Sequence, residues 1–267
     1  MCHKRIGYPS DLSDEQWAII EGLDINRHWG PGRPMRLALR AVLNAILYVV
    51  RTGCAWRYLP SEYPNYNSVY YHFHKWCGDG TWEAVNTALR EQVRTAAGRS
   101  ALPSLAILDS QSVKTTEVGG EHGFDGAKKV NGRKRHIVVD TMGNLLTVLA
   151  HAAHIGERSG GQQVLLKIPK VMWSRLEKIL ADGGYDGADF QAWVKATFGV
   201  DLEIALRPRD KKGFVVVPIR WVVERTFAWL GRYRRLSKDY EHLTENSEGM
   251  VYLASISRLL SRLAPAT

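Results

Sequence analysis

The feature that most constrains the fold is a change of hydrophobic pattern near residue 100. Before it, apolar residues recur at three- and four-residue steps, the spacing of amphipathic helices. After it, short apolar runs and helical patterns follow each other in the order β-β-β-α-β-α-β-α. This order predicts a three-layer α/β domain with a mixed sheet, and the first three strands of that sheet form a meander. We therefore expect an all-helical domain at 1–100 and an α/β domain at 101–267.

The first hundred residues carry signals of several helices. Ser13 and Gln16 have the spacing of a capping box, and a strongly periodic helix follows at about 39–50. A Gly-containing connection separates that helix from another at about 67–77, which is rich in hydrogen-bonding side chains. Two helices joined in this way favour a small helix-turn-helix-like domain that binds DNA. A plain helical bundle with an aromatic core has the same pattern.

Composition narrows the class of partner. The chain of 267 residues has 36 Lys and Arg against 27 Asp and Glu, a formal net charge of +9. Such an excess favours a polyanionic partner, with nucleic acid ahead of anionic membrane. The longest apolar run, 41–50, is too short to span a bilayer, and no signal peptide is expected at the N-terminus. Three dispersed cysteines favour a reducing compartment, so a cytoplasmic location is expected.

Two predicted strands end in an aspartate. Asp109 follows the apolar run 105–108, and Asp182 follows the run 177–181. Active sites in open α/β sheets lie at the carboxyl ends of the strands. Both carboxylates therefore face one crevice if these two strands are parallel neighbours. Mg²⁺ takes one or two carboxylates together with substrate phosphate oxygens. Taken singly, each aspartate also fits a turn or a helix cap.

A third carboxylate, Glu224, lies on a strongly apolar helix predicted at 218–236, an odd place for an uncompensated charge. At about 100° per residue, Arg220, Glu224 and Arg235 fall on roughly one face of that helix. This arrangement suits a metal ligand beside a DNA backbone. A salt bridge between Glu224 and Arg220, one turn earlier, is the alternative.

The chain resembles the DDE transposases of bacterial insertion sequences, and most of all the insertion sequence 5 group. The similarity covers nearly the whole sequence in the expected order. The segments that carry it are DLSDEQW at 11–17, GRP at 32–34, NAILYVVRTG at 44–53, LDSQSVK at 108–114, GRKRH at 132–136, ADGGY at 181–185, RWVVERTFAWLG at 220–231 and RLSKDYE at 235–241.

The resemblance implies a ribonuclease-H-like catalytic core after the helical DNA-binding domain. It also implies two Mg²⁺ ions, replaceable by Mn²⁺, held by Asp109, Asp182 and Glu224. The enzyme is expected to bind the terminal inverted repeats of its own element, cleave the DNA and join the freed 3′-hydroxyl to a target. Its partner is then double-stranded DNA, bound as a homodimer in the bacterial nucleoid. A DNA-binding regulator and a metal-dependent nuclease without strand transfer are the alternatives.

The chain departs from the family signature of Tyr, Arg, Glu and Lys around the glutamate. Arg220 and Glu224 match, whereas Val217 stands at the Tyr position and Gly231 at the Lys position, followed by Arg232. The departure does not touch the metal ligands. It leaves open which basic residue contacts the terminal phosphate.

Basic and hydrogen-bonding side chains are expected to contact DNA from the third helix, the basic run 128–136 and the helix that carries Glu224. A zinc site at His151 and His154 is disfavoured, since neither has a Cys or Glu partner at zinc spacing. Trp221 and Trp229 are expected mostly in the core. The predicted DNA contacts are Arg33, Tyr70, His72, His74, Lys75, Lys114, Lys128, Lys129, Arg133, Lys134, Arg135, Arg220, Arg232 and Arg235.

Overall fold

The computed structural model describes residues 7–23, 25, 37–205 and 220–265, without the side chain of Arg220. Predictions for Arg33, for Val217 and for the Arg220 side chain therefore lie outside the described part. The helices are α1 (Asp14–Glu21), α2 (Leu39–Thr52), α3 (Tyr66–Gly78), α4 (Thr81–Ala96), α5 (Glu157–Leu166), α6 (Lys170–Trp173), α7 (Ala188–Phe198), α8 (Arg220–Leu230) and α9 (Thr244–Leu263). The strands are β1 (Leu105–Lys114), β2 (Gly123–Asp125), β3 (Val130–Asp140), β4 (Leu145–Ala152), β5 (Lys178–Ala181) and β6 (Asp201–Ile204).

Local signals explain where the N-terminal helices begin and end. The predicted capping box is confirmed: the Gln16 N–H donates to Ser13 Oγ (3.2 Å) and the Ser13 N–H donates to Gln16 Oε1 (3.3 Å). Helix α2 ends at Gly53, which has a φ of 74°. That left-handed conformation favours glycine, and a Cβ there would also lie 3.0 Å from Cβ of Arg234.

The strands form one mixed sheet. Strand β1 lies between β3, to which it is antiparallel, and β5, to which it is parallel, and β6 is parallel to β5. Strand β4 pairs with β3 on the side away from β1, so the order across the sheet is β4-β3-β1-β5-β6. The short β2 pairs with the first residues of β3 and was not predicted. Strands β1, β3 and β4 are the expected meander.

The observed ends of three elements, β1, α5 and α7, differ from the predicted ones. Strand β1 does not stop at Leu108, because its pairing with β3 continues to Lys114, so Asp109 lies within the strand. The helical pattern at 161–168 predicts a helix that begins at Gly161, whereas α5 begins at Glu157. The sequence predicts Asp186 as the N-cap of the helix through Phe190, whereas the N-cap of α7 is Gly187 and Asp186 closes the preceding 3-10 turn.

Two apolar clusters cover the two faces of the sheet. One face packs against α5, α6 and α7 through side chains such as Leu108, Val164 and Phe190. The other face packs against α8 and α9, and its cluster runs on without interruption into α1, α2, α3 and α4. The boundary at residue 100 stays a prediction, because the helical region and the sheet share this core. Among the described helices, none combines the length and apolar character needed to cross a bilayer.

Candidate active site

The strands bring Asp109 and Asp182 to adjacent positions. The pairing between β1 and β5 ends at Leu108 opposite Ala181, and each aspartate is the next residue of its strand. Beyond this point β1 continues along β3, whereas the chain after β5 turns away into the 3-10 turn Gly183–Tyr185. The two aspartates therefore stand where two parallel strands separate.

Both aspartates belong to the face of the sheet that α8 covers. Side chains alternate between faces along a strand. Ile107 and Leu180 lie in the core on the α8 and α9 side, and Asp109 and Asp182 each follow two residues later in extended backbone. Both carboxylates are half-buried. Asp109 Oδ1 accepts from the N–H of Ser110 (2.7 Å), and Asp182 Oδ1 accepts from the N–H of Gly184 (2.9 Å).

Glu224 lies on the helix that covers this face. Its neighbour Val223 is buried, whereas Glu224 itself is exposed. One turn later, Phe227 lines a small cavity together with Gln111 and Val113 of β1. Helix α8, which carries Glu224, therefore lies beside β1 on the face of the sheet to which Asp109 and Asp182 belong. Within the described residues, no three His, Cys, Asp or Glu side chains are grouped closely enough to hold one metal ion.

A second polar cluster lies on the opposite face, directly behind Asp109. Ser110 Oγ donates to Glu157 Oε2 (2.7 Å), and Ser110 faces His136 across β1 and β3. His136 Nδ1 is 2.7 Å from the hydroxyl of Tyr185, and its Nε2 is 3.8 Å from Glu157 Oε2. His136 and Tyr185 fall within segments that carry the family resemblance, yet sequence reasoning gave them no role. Glu157 was missed altogether, because only its place in the first turn of a helix marked it.

Two lysines balance the charge of Glu157. Lys134 Nζ lies 3.1 Å from Glu157 Oε1 and 3.6 Å from Asp125 Oδ2, with both Lys134 and Asp125 almost fully buried. Lys128 Nζ lies 3.8 Å from Glu157 and donates to the carbonyl and hydroxyl oxygens of Ser110. Burial disfavours the charge of Asp125, but hydrogen bonds from Ser112 and two backbone N–H groups, together with Lys134, lower its pKa to about 2.

Burial and charge set the protonation states inside the cluster. Burial, then the negative charges of Glu157 and Asp109, raise the pKa of the Tyr185 phenol well above its usual value. Burial, together with the charges of His151 and Lys134, lowers the pKa of His136 well below its usual value. At neutral pH the phenol therefore keeps its proton and the imidazole is uncharged.

Four predicted DNA contacts from the strand and loop segments are corrected by the structure. Arg133 is fully buried and bonds Asp239 (3.1 Å) and the carbonyls of Glu241 and His242 (2.7 and 2.6 Å). The others are equally enclosed and are bonded to carboxylates or backbone carbonyls: Lys134, Arg135 and Arg235. A phosphate on the surface cannot reach these side chains. Their role in this structure is to hold the segment after α8 and the start of α5 against the sheet.

A fifth correction concerns the third helix. His72 is buried at 7% exposure and packs on Trp76, so it does not present its ring to DNA. Tyr70 and His74 are exposed and both contact Asn246 of α9. The remaining predicted contacts lie at least partly at the surface: Lys75, Lys114, Lys128, Lys129 and Arg232.

Helix α8 carries an arginine that the sequence reasoning passed over. The Arg225 guanidinium lies between the rings of Trp221 and Trp229, at 4.2 and 4.5 Å from their centroids. The guanidinium of Arg258, on α9, also lies over the Trp229 ring, 3.6 Å from its centroid. Trp221 is 45% exposed, so its assignment to the core was wrong. Alternating aromatic and basic residues at helical spacing were the available signal.

Comparison with protein families identifies the class. Residues 100–259 match the model described as "Transposase DDE domain", and residues 12–86 match the one described as "Putative transposase of IS4/5 family". The first match covers more than half of the chain. The chain therefore belongs to the DDE transposases, within the IS4/5 group of insertion sequences.

Two curated relatives from Burkholderia cepacia agree with this placement. The "Putative transposase for insertion sequence element IS402" is 33% identical over 116 residues, which are 41% of this chain and 54% of that protein. The "Insertion element IS402 uncharacterized 16.2 kDa protein" is 31% identical over 118 residues, which are 42% of this chain and 78% of that protein. The chain thus spans about half the length of the first relative.

Proposed function

We propose that this chain is an active transposase. It binds the terminal inverted repeats of its own insertion sequence as a homodimer, cleaves a phosphodiester bond there, and joins the freed 3′-hydroxyl to target DNA. Asp109, Asp182 and Glu224 are the proposed catalytic carboxylates. The observation that carries the proposal is the register of β1 and β5, which sets two aspartates side by side at the point where the strands separate.

The donor set fits a hard divalent cation. Mg²⁺ is bound through one or two carboxylates and completes its shell with substrate phosphate oxygens, which the adjacent Asp109 and Asp182 allow. Glu224 would approach the same face from α8. Two bound Mg²⁺ ions, or Mn²⁺ in their place, would supply activation of the attacking oxygen and stabilisation of the leaving one. The three carboxylates would hold the cations.

The proposed core is ribonuclease-H-like. The support is the sheet order β4-β3-β1-β5-β6, with the first three long strands antiparallel and the last two parallel to β1. Ligands in open α/β sheets bind beyond the carboxyl ends of strands, at such a change of direction. The short β2 is then an insertion before the second long strand.

DNA binding is proposed for the exposed basic residues near the site. Lys114 is the last residue of β1, Lys128 and Lys129 lie in the turn before β3, and all three are exposed. The chain as a whole carries a net charge of +9. Phosphate contacts of this kind position a duplex without reading its sequence. Sequence recognition is assigned to the helical region that includes α3.

Strand transfer separates this proposal from its two rivals. Full-length protein is incubated with Mg²⁺, a supercoiled target plasmid and short duplexes that end in the inverted repeats flanking the gene. A transposase joins the end duplexes to the plasmid. A nuclease only nicks or linearises the plasmid, and a regulator binds the ends without cutting. Duplexes with scrambled ends and the variant Asp109→Asn are the controls, and joining that ignores either change would refute the proposal.

A further inference from the structure

Glu157 lies behind the point where β1 and β5 separate, on the face of the sheet opposite Asp109. Past Leu108, β1 keeps β3 as a partner on one side, while its pairing with β5 has ended on the other. The two segments form a fork, with Asp109 on its β1 arm and Asp182 on its β5 arm. Glu157, the first residue of α5, lies between the two arms.

Glu157 touches both arms of the fork. On the β1 arm, its Oε2 accepts from the hydroxyl of Ser110 (2.7 Å), the residue next to Asp109. On the β5 arm it lies against Gly184, the residue whose N–H donates to Asp182. A Cβ placed on Gly184 would be 3.1 Å from Cγ of Glu157 and 3.1 Å from Oδ1 of Asp182. One carboxylate side chain thus contacts both the strand residue next to Asp109 and the turn that follows Asp182.

Neighbouring positive charges hold Glu157 in place. Its side chain is 21% exposed, with Lys134 at 3.1 Å and Lys128 at 3.8 Å. Lys128, in the turn between β2 and β3, also donates to the Ser110 hydroxyl. The lysine and the glutamate therefore bond the same hydroxyl group. Tyr185, at the end of the turn after Asp182, is bonded to His136 behind the same cluster. These contacts join Glu157, Ser110 and the two lysines into one bonded cluster, in which Lys134 is almost fully buried.

We propose that Glu157 is a positioning residue of the active site, acting through Ser110 to fix the separation of Asp109 and Asp182 at which a divalent cation binds. The inference rests on the proposed function, since it concerns the same metal site. It adds a fourth carboxylate that orients the metal ligands from the opposite face of the sheet. Partners that orient metal ligands typically change metal affinity or activity by about 10–100-fold when they are lost.

The test uses full-length protein and measures metal binding apart from catalysis. Mn²⁺ affinity is determined by electron paramagnetic resonance of the free ion, without DNA, and the Mg²⁺ concentration for half-maximal cleavage is determined separately. Glu157→Gln keeps the side-chain shape, and Ser110→Ala removes the hydroxyl without changing any charge. Both variants are expected to weaken Mn²⁺ binding and raise the Mg²⁺ midpoint by about tenfold or more, while the Kd for end DNA stays at the wild-type value.

Glu203→Gln is the matched control. Glu203 is also a carboxylate paired with a lysine, Lys178 at 2.7 Å, but it lies exposed on β6. A purely structural role of Glu157 would lower the melting temperature and leave both metal readouts at the level of this control, which would overturn the proposal. A shift in Glu157→Gln without one in Ser110→Ala would overturn the route through Ser110. Because Ser110→Ala leaves Lys134 paired, it keeps the test decisive if Glu157→Gln fails to fold.

The outcomes also separate this inference from the proposed function. Wild-type protein that binds Mn²⁺ but neither cuts nor joins DNA would refute the transposase activity, while the comparison of metal affinities would still decide the role of Glu157. Mn²⁺ binding that Asp109→Asn leaves unchanged would refute the metal site and the positioning role together.

Discussion

At the scale of single residues, burial divides the charged side chains of this protein into two kinds. Arg133 and Asp239 are fully enclosed and are bonded to each other, so their charges serve the fold. Asp109 and Asp182 are half-buried at an edge of strand pairing, and Glu224 is exposed. A carboxylate that keeps access to solvent at such a place can exchange its contacts for a cation and a substrate, which an enclosed ion pair cannot do.

The first prediction concerns these three carboxylates. Asp109→Asn, Asp182→Asn and Glu224→Gln keep the side-chain shapes and remove the charges that hold the cations. A bound cation contributes several kcal/mol to the stabilisation of the transition state, so each change should reduce cleavage by about a thousandfold or more. Cleavage of end DNA is measured beside binding by gel shift. Asp201→Asn is the control, because Asp201 lies on β6 in an exposed ion pair with Lys195, and this variant should cleave normally. Near-normal cleavage by any of the three carboxylate variants would remove that residue from the site.

The second prediction concerns pH and His136. Burial lowers the pKa of His136 well below 6.5 in the folded protein, whereas the unfolded chain takes up this proton near pH 6.5. Below that pH the unfolded state binds more protons, so stability falls as the pH falls. His136→Gln should make the melting temperature less dependent on pH between about 7 and 5. His74→Gln, which changes an exposed ring on α3, is the control, and equal slopes in wild type and His136→Gln would contradict the assignment.

At the scale of elements, β3 organises the sheet. It pairs with β1 on one side and with β2 and then β4 on the other, and it is buried from Gly132 to Asp140. Gly132 lies where β1, β2 and β3 meet, opposite both Lys114 and Gly123. A Cβ at Gly132 would lie 2.0 Å from the carbonyl oxygen of Val113. The close approach of the two backbones therefore excludes any larger residue.

The third prediction follows from this contact. Gly132→Ala should lower the free energy of unfolding by about 1–3 kcal/mol, because the methyl group meets main-chain atoms of β1 that have no rotamer to change. Chemical denaturation gives the difference. Gly126→Ala is the matched control, because a Cβ there has nothing within 4 Å and the backbone is not left-handed. Equal stabilities of the two variants would show that the end of β1 is not held against β3.

At the scale of the whole molecule, α9 joins the helical region to the sheet. Its buried residues include Leu253, Ile256 and Leu259, and they belong to the same apolar cluster as Trp82 of α4 and Ile137 of β3. The Glu248 carboxylate accepts from the N–H of Ala150 on β4 (2.9 Å) and pairs with Lys167. Separating residues 1–100 from the rest would expose the face of α4 that α9 covers.

The fourth prediction is that the chain unfolds in one step. One apolar cluster spans both regions, so separating them would break the core of the helical region and the core on one face of the sheet. Far-ultraviolet circular dichroism, which is dominated by the helices, and tryptophan fluorescence should give coincident melting curves. Two separate transitions would instead support independent domains with a boundary near residue 100.

The fifth prediction concerns salt. Binding of end DNA by full-length protein should weaken steeply with salt, since each phosphate contact releases counterions and contributes a slope of about −0.9 to log K against log salt. Lys114→Gln and Lys129→Gln should each reduce the slope by about one contact. Lys195→Gln removes an exposed charge that is already paired with Asp201 on the far side of the sheet. As the control, Lys195→Gln should leave the slope unchanged. A slope that neither Lys114→Gln nor Lys129→Gln reduces would place the DNA elsewhere on the surface.

The sequence by itself determined what local pattern encodes. Hydrophobic spacing predicted the order of the long strands and helices, turn chemistry predicted the Ser13 capping box, and the family resemblance predicted the class that the comparisons confirm. Asp109 and Asp182 were found because each follows an apolar run, a signal carried by neighbouring residues. The chemistry assigned to them and to Glu224 stays a prediction.

Only the tertiary structure decided which face each charged residue occupies. The run 132–136 has the local pattern of a solvated strand entry, yet β3 is covered on both faces, so Arg133, Lys134 and Arg135 pair with acidic groups or carbonyls far along the chain. Glu157 is separated by 47 residues from Ser110, which it bonds. Such contacts depend on how strands and helices pack, and burial makes their pairing obligatory. No local periodicity in one sequence records them.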